Sequence, residues 1–238
     1  MKHCNGYRPA GERSAPTRLN CSTCRYRTMS SMRTRREIPR PTAFHRAIDD
    51  RVRRFVELGA VVGLVADHGM NDKARPNGEP QVVFLEDVLN NCFGAGAVRV
   101  ICPITDPFVR HHGALGSFVR VYARNRADLV PFMAASAALP GIAMVLDGAE
   151  AARRFELPID READFVALGD ANTVIGASRA EHDLSGLAGH RLRSHGGLGE
   201  QRVPFILSRR LISEYQCRAE TCSLRNFDIF DFALNGVE

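Results

Sequence analysis

The chain has 238 residues, of which 45% are hydrophobic, enough for one large or two small domains with a real core. No apolar run approaches the roughly 18 residues of a membrane-spanning helix, and the first residues lack the apolar segment of a secretion signal. Seven cysteines at irregular spacings do not indicate a disulfide framework. We therefore expect a cytoplasmic protein with no membrane partner.

The net charge of +5 is concentrated in residues 1–41, which hold ten basic and two acidic residues, whereas the remainder holds 22 basic and 25 acidic residues. This segment has almost no apolar periodicity and is rich in Pro, Ser, Thr and Arg, a composition typical of disordered chain. An arginine-rich arm that binds nucleic acid is the alternative. Because the segment has almost no aromatic residues to stack on bases, we predict no nucleic-acid partner.

Regular structure is predicted from Thr42 onward. A helical apolar stripe runs from Phe44 to Leu58 and ends at Gly59. The following run, residues 61–66, has the length and β-branched content of a central parallel strand covered on both faces. Beyond Pro80 the pattern alternates short strands and helices, beginning with the helix-like VVFLEDVLNN and ending with FDIFDFALNG, which reads as a strand or turn.

Asp67 and His68 come directly after the apolar run. Open α/β sheets place ligand sites at the carboxyl ends of their strands, and a carboxylate beside an imidazole suits a divalent metal. The alternative is a strand-end aspartate that caps the next turn, with Gly69 at a positive φ. On the residues alone, both interpretations stay open.

Five ordered segments carry a resemblance to a known family. They are VADHGMNDK, VVFLEDVL, ICPITDPFVRHHGALGSFVRVY, SHGGLGEQRVPFILSR and FDFALNGV. Together they resemble the phosphonoacetate hydrolases, members of the alkaline phosphatase superfamily, from about Ala43 to the C-terminus. The resemblance implies an α/β fold: an incomplete alkaline-phosphatase-like core with an inserted α+β cap domain.

The resemblance implies a site in which two zinc ions flank the substrate. By motif, Asp67 and His68 correspond to ligands of one ion, and His195 of SHGG corresponds to a ligand of the other; other divalent metals are possible. Paired cations stabilise attacking and leaving oxygens and lower the pKa of a bound hydroxyl or water. The implied reaction is hydrolysis of phosphonoacetate to acetate and phosphate, with a small phosphonate as partner and a possible homodimer.

The resemblance divides the chain into four segments. Residues 1–41 are disordered, 42–80 are core and carry Asp67 and His68, 81–185 form the cap, and 186–238 return to the core with His195. The family's threonine nucleophile, an early aspartate, an Asp-x-x-x-His pair and the cap lysines would all lie before residue 42. No catalytic residue is therefore identified, and we expect a truncated, inactive chain.

A frameshift would account for the unusual N-terminal segment. With suitable codons, moving the frame back by one base over residues 23–32 gives Tyr-Leu-Ser-Ile-Pro-Asp-Tyr-Val-Gln-His, which contains the absent Asp-x-x-x-His. We therefore hypothesise that residues up to about 41 are translated out of frame. Two functional alternatives stay open: another phosphatase or phosphodiesterase of the superfamily, and a non-catalytic remnant.

The remaining histidines and one cysteine pair are not assigned to a site. Cys21 and Cys24 have metal-ligand spacing, but no second pair follows at zinc-finger distance. None of the six remaining histidines is needed for the site. His111 and His112 are predicted to have a surface or packing role, His182 and His190 to lie in a polar loop, His45 to lie on a helix among charged residues, and His3 to lie in the disordered segment.

Overall fold

The computed structural model describes residues 39–103, 115–185 and 191–238. The predictions for Cys21, Cys24, the frameshift and nearly all of the disordered segment lie outside these residues, as do His3, His111, His112 and His190. The first helix begins at Pro39, three residues earlier than predicted. Proline is tolerated there because the first N–H groups of a helix have no intrahelical partner.

Six α-helices and ten strands are present in the described residues. The helices are α1 (Pro39–Glu57), α2 (Leu85–Phe93), α3 (Leu129–Ala137), α4 (Gly148–Phe155), α5 (Ser213–Thr221) and α6 (Asp228–Asn235). The strands are β1 (Gly63–Val65), β2 (Asn71–Asp72), β3 (Val82–Phe84), β4 (Val98–Ile101), β5 (Phe118–Ala123), β6 (Ile142–Asp147), β7 (Phe165–Gly169), β8 (Val174–Gly176), β9 (Arg193–Ser194) and β10 (Phe205–Leu207).

The chain divides into two compact units. One comprises Ala66–Pro204, and the other combines Met1–Val65 with Phe205–Glu238. We call these the central unit and the terminal unit. The four segments expected from the sequence resemblance stay a prediction.

The central unit is organised around a four-stranded antiparallel sheet in the order β4-β5-β7-β6. Every residue of β7 is buried, because Phe165 and Ala167 pack into one hydrophobic cluster and Val166 and Leu168 pack into another. Helices α2 and α3 contribute Leu85, Leu89 and Phe132 to the core. Two smaller pairings complete the unit, the parallel pair β3–β8 and the antiparallel pair β2–β9. The pair β2–β9 positions the candidate site.

The terminal unit contains α1, α5, α6 and the antiparallel pair β1–β10. Among its described residues, the buried large hydrophobic side chains are Ile229 and Phe232 of α6. The interpretation of residues 61–66 as a central parallel strand covered on both faces is therefore wrong. Strand β1 has three residues, pairs antiparallel with β10 and leaves Leu64 exposed. Apolar content predicted the strand, but it carries no information on how many neighbours cover it.

Two further segments differ from the sequence prediction. The final FDIFDFALNG forms helix α6 rather than a strand or turn. Its Phe and Ile content is typical of a strand, but Ile229 and Phe232 are three apart and so share the buried face of a helix. The segment read as one helix after Pro80 divides into strand β3 and helix α2. None of the helices in the described residues has the length and apolar character to cross a membrane.

Candidate metal centre

Three site residues predicted from the sequence, Asp67, His68 and His195, lie in the central unit. Strand β2 pairs with β9 so that Asn71 lies opposite Ser194. Because the pairing is antiparallel, the residues just before β2 lie opposite those just after β9. His68 is three residues before Asn71 and His195 directly follows Ser194, so this short ladder brings the two histidines together across 127 residues of sequence.

The two imidazole rings are stacked. Their centroids are 3.8 Å apart and their planes differ by 17°. Asp67 lies beside them: its Oδ2 is 3.7 Å from Nε2 of His68, and its Oδ1 accepts a 3.0 Å hydrogen bond from the backbone N–H of His68. The convergence expected of these three side chains is therefore observed, whereas their role as metal ligands stays a prediction.

The tautomer of His68 is set by its neighbour. Nδ1 of His68 is 2.8 Å from the backbone oxygen of Gly69, and since a carbonyl only accepts, Nδ1 carries the proton. In the neutral ring, Nε2 then carries the free lone pair, 3.7 Å from Oδ2 of Asp67. Metal-bound histidines commonly hold their other N–H in this way, on a carbonyl or carboxylate.

The spacing of these two acceptors suits a shared cation. Two donors at about 2.1 Å from a tetrahedral zinc ion are roughly 3.4 Å apart, close to the 3.7 Å between Asp67 Oδ2 and His68 Nε2. Neither group in its metal-binding state has a proton to share with the other. A cation between them would remove the repulsion between two facing acceptors.

His195 is held in its metal-binding protonation state. Burial of its half-buried ring, and then the proximity of His68, lower the pKa of the His195 imidazole. A lower pKa favours the neutral ring at physiological pH, and the neutral ring is the form that binds metals. The backbone oxygen of His195 accepts a 2.9 Å hydrogen bond from the N–H of Ser117, next to strand β5.

The glycines of the motifs have separate roles. Gly69 does not have the positive φ expected in the alternative interpretation of this turn. A Cβ at Gly69 would lie 3.2 Å from the backbone oxygen of Glu200. Gly196 does have a positive φ, +100°, which allows the chain to turn directly after His195.

A buried ion pair lies behind the histidines and was missed in the sequence. Lys73 is fully buried and its Nζ lies 2.9 Å from Oε1 of Glu200, which is 3% exposed. The only signal in the sequence is weak: Lys73 is one of just two lysines among 32 basic residues. Neither its burial nor its partner, 127 residues away, follows from local pattern.

The ligand set within the described residues is incomplete. They contain no group of three or more His, Cys, Asp or Glu side chains arranged to hold a metal ion. Asp67 Oδ2 and His68 Nε2 lie 3.7 Å apart, and the ring of His195 stacks on that of His68. The kinds of ligand fit zinc, but their number falls short of the three protein ligands usual in catalytic zinc sites.

A cavity of about 380 Å³ adjoins His195. Its walls include Phe118, Phe155 and Gln201, and Arg120 lies at its edge with its guanidinium paired to Glu162. The cavity therefore combines apolar side chains with an imidazole and has space for a small molecule.

Two other histidines are described. His182 Nε2 accepts a 3.0 Å hydrogen bond from the N–H of Ala177, and its ring packs near Phe84. His45 is exposed on α1. His45 therefore lies on a helix and His182 in a loop, as predicted, but the His182 ring packs near Phe84 instead of standing free in a polar loop.

Sequence and structure comparisons agree on one enzyme. Phosphonoacetate hydrolase from Sinorhizobium meliloti 1021, solved in complex with phosphonoformate, superposes with a TM-score of 0.77 at 40% sequence identity over 87% of this chain. The same enzyme in complex with phosphonoacetate gives 0.76 at the same identity and coverage. This chain is homologous to part of phosphonoacetate hydrolase. The α/β fold class predicted from the sequence is thereby confirmed.

A curated phosphonoacetate hydrolase from Penicillium oxalicum also matches, with 69% identity over 29 residues, which are 12% of this chain and 40% of that protein. No family model matches the chain. The chain spans about half the length of the solved phosphonoacetate hydrolase, 49%, and less than half of the curated one.

Proposed function

We propose that this chain supplies Asp67, His68 and His195 to the metal site of a phosphonoacetate hydrolase, and that the whole protein hydrolyses phosphonoacetate to acetate and phosphate. The observation that carries the proposal is the convergence of these three residues in a chain 40% identical to an enzyme solved with phosphonoacetate and phosphonoformate. A small phosphonate is the proposed substrate. Homodimer formation and a cytoplasmic location stay predictions from the sequence.

The proposed cofactor is zinc, two ions in the whole protein. Asp67 and His68 would hold one ion and His195 the other, and the remaining ligands would come from parts of the protein outside the described residues. Bound zinc supplies a Lewis acid that stabilises oxygen charge and lowers the pKa of a coordinated oxygen nucleophile. Other divalent metals that accept carboxylate and imidazole ligands are possible cofactors.

The residues of this chain prepare the site in three ways. The Gly69 carbonyl keeps the proton on Nδ1 of His68, leaving Nε2 for a cation. Burial keeps His195 neutral, since its pKa is lowered. The cavity beside His195 offers about 380 Å³, room for a small phosphonate against the proposed metal position.

We further propose that the 238-residue chain by itself does not turn over phosphonoacetate. The described residues supply three ligands for two positions, which leaves each position below the usual three, and groups that act as a unit fail as a unit. Phosphate release from phosphonoacetate in added zinc should therefore equal the rate without protein.

The deciding experiment is a hybrid enzyme in which residues 39–238 replace the matching half of the Sinorhizobium meliloti enzyme. It should release phosphate from phosphonoacetate, and Asp67→Ala, His68→Ala and His195→Ala should each abolish release. His45→Ala, at an exposed position on α1, is the matched control and should leave the rate unchanged. A folded hybrid that binds zinc and shows no release would contradict the proposed function.

A further inference from the structure

The carboxylate of Glu200 is buried together with its counter-ion. Glu200 is 3% exposed and Lys73 is not exposed at all. Removing both charges from water carries a large desolvation penalty, and a buried ion pair is for that reason weak evidence of added stability. We therefore look for the role of the pair in the other hydrogen bonds that Glu200 makes.

Glu200 contacts both of the segments that carry the histidines. On the His195 side, its Oε2 accepts a 2.8 Å hydrogen bond from the backbone N–H of Gly197. On the His68 side, its backbone oxygen accepts a 2.7 Å hydrogen bond from the N–H of Gly69, and its Oε1 accepts one of 2.6 Å from Nδ2 of Asn71. Glu200 thus fixes Gly69, which directly follows His68, and Gly197, which lies two residues after His195.

The contacts leave little freedom on either side. A Cβ added at Gly69 would lie 3.2 Å from the Glu200 backbone oxygen, and one added at Gly197 would lie 3.1 Å from its Oε2. Both glycines therefore let the backbone come close to Glu200. Lys73 Nζ also lies 3.5 Å from the backbone oxygen of Asp170, so its ammonium group is anchored on a second side.

We propose that Glu200 is a positioning residue that sets the separation of His68 and His195, with Lys73 holding its carboxylate in place. Treating the two histidines as metal ligands rests on the proposed function, whereas the positioning itself does not. Partners outside the ligand shell that orient metal ligands commonly govern affinity and activity in metalloenzymes. Glu200 would act in this way on two segments at once, through their backbone amides.

The test measures the distance between the two rings directly and needs neither metal nor turnover. In the full chain with isotope-labelled histidine, stacked rings at 3.8 Å should give a nuclear Overhauser cross-peak between His68 and His195. The cross-peak is assigned by its absence in His68→Ala. In Glu200→Gln, the atom that faces the ammonium of Lys73 and the amide of Asn71 becomes an amide N–H₂, which cannot accept a hydrogen bond, or a neutral oxygen, which is a weaker acceptor. The side chain then no longer fixes both segments, so we expect the cross-peak to be lost.

Asp164→Asn is the matched control. The Asp164 carboxylate also accepts hydrogen bonds from a backbone N–H, that of Ala123 at 2.9 Å, and from Nε of Arg126 at 2.8 Å. These partners do not belong to the two segments that carry His68 and His195. This variant should lower the urea midpoint of unfolding while keeping the ring cross-peak. A cross-peak lost in both variants would show a general loosening of the unit and would overturn the proposal.

Glu200→Asp provides a second variant, because it keeps the charge beside Lys73 but is one methylene too short to reach Gly197 and Asn71 together. We expect it to fold, as judged by circular dichroism, and to lose the cross-peak. If either Glu200 variant folds and keeps the cross-peak, Glu200 does not position the rings. If neither folds, its role is stability of the fold and the proposal is wrong. An inactive hybrid enzyme would leave these results unchanged, so the two proposals fail separately.

Discussion

The central and terminal units bury their apolar residues to different extents. In the central unit, four paired strands and the helices packed on them bury whole side chains, including every residue of β7. In the terminal unit, a two-stranded sheet and three helices leave Leu58, Phe230 and Leu234 more than 60% exposed. Two strands alone rarely form a stable core, whereas three or more with a covered face do. We therefore expect the stability of the described chain to reside in the central unit.

The largest expected effect comes from emptying the core of the central unit. Phe165 on β7 is completely buried, so Phe165→Ala should lower the free energy of unfolding by about 4 kcal/mol, through lost burial and the cavity left behind. Phe230→Ala in the terminal unit, at 61% exposure, should change it by less than about 0.5 kcal/mol. Urea denaturation measures both. Similar losses would show that the Phe230 surface is covered in solution.

Breaking the buried ion pair should have the next largest effect. Lys73→Met leaves the Glu200 carboxylate buried without its counter-ion and should cost about 3 kcal/mol. Arg53→Ala removes an exposed pair with Asp49 on α1 and should cost about 0.5 kcal/mol at most. Thermal or urea unfolding of each variant gives the comparison. The double variant Lys73→Met/Glu200→Gln should regain most of the loss, and failure to do so would contradict a charge effect.

A helix cap in the central unit gives a smaller expected effect. Asp147 Oδ1 accepts a 2.8 Å hydrogen bond from the N–H of Glu150 at the start of α4, whereas α5 in the terminal unit begins without a side-chain cap. Asp147→Ala should cost about 1 kcal/mol. Asp160→Ala, at an exposed aspartate that caps no helix, serves as the control. Equal urea midpoints for the two variants would rule out the cap contribution.

The smallest expected effect is a pH dependence from His195. Because its pKa is lowered in the folded chain, the unfolded chain binds more protons in the window below the ordinary histidine pKa of about 6.5. The stability contributed by His195 is present above that pH and is lost as the pH falls toward the folded pKa. With a chelator present, the difference in unfolding free energy between wild type and His195→Gln should vary across this window. A constant difference would contradict the shift.

Local pattern predicted which segments form elements better than it predicted how they are covered. The strands of the four-stranded sheet follow from short apolar runs separated by helical patterns, because the spacing of apolar residues within each segment indicates a strand or a helix. The exposure of β1 and the helical form of FDIFDFALNG depend on partners far away in the sequence. Periodicity cannot report such partners.

The site was predictable where a motif carried the chemistry. Asp67, His68 and His195 were identified from DHG and SHGG, and the ladder between β2 and β9 brings them together. Lys73 and Glu200 were not identified, since a buried ion pair joins two charged residues that each look like ordinary surface residues in sequence. Only the tertiary structure shows that both are buried.

The measurement closest to the central claim is a zinc titration of the full chain followed by nitrogen NMR of its histidine rings. With Nδ1 of His68 protonated and bound to the Gly69 carbonyl, zinc should shift Nε2 of His68 and leave its Nδ1 protonated, with a parallel change at His195. Asp67→Ala should weaken the response, and exposed His45 should not change. If zinc perturbs His45 while His68 and His195 stay unchanged, these residues are not a metal centre.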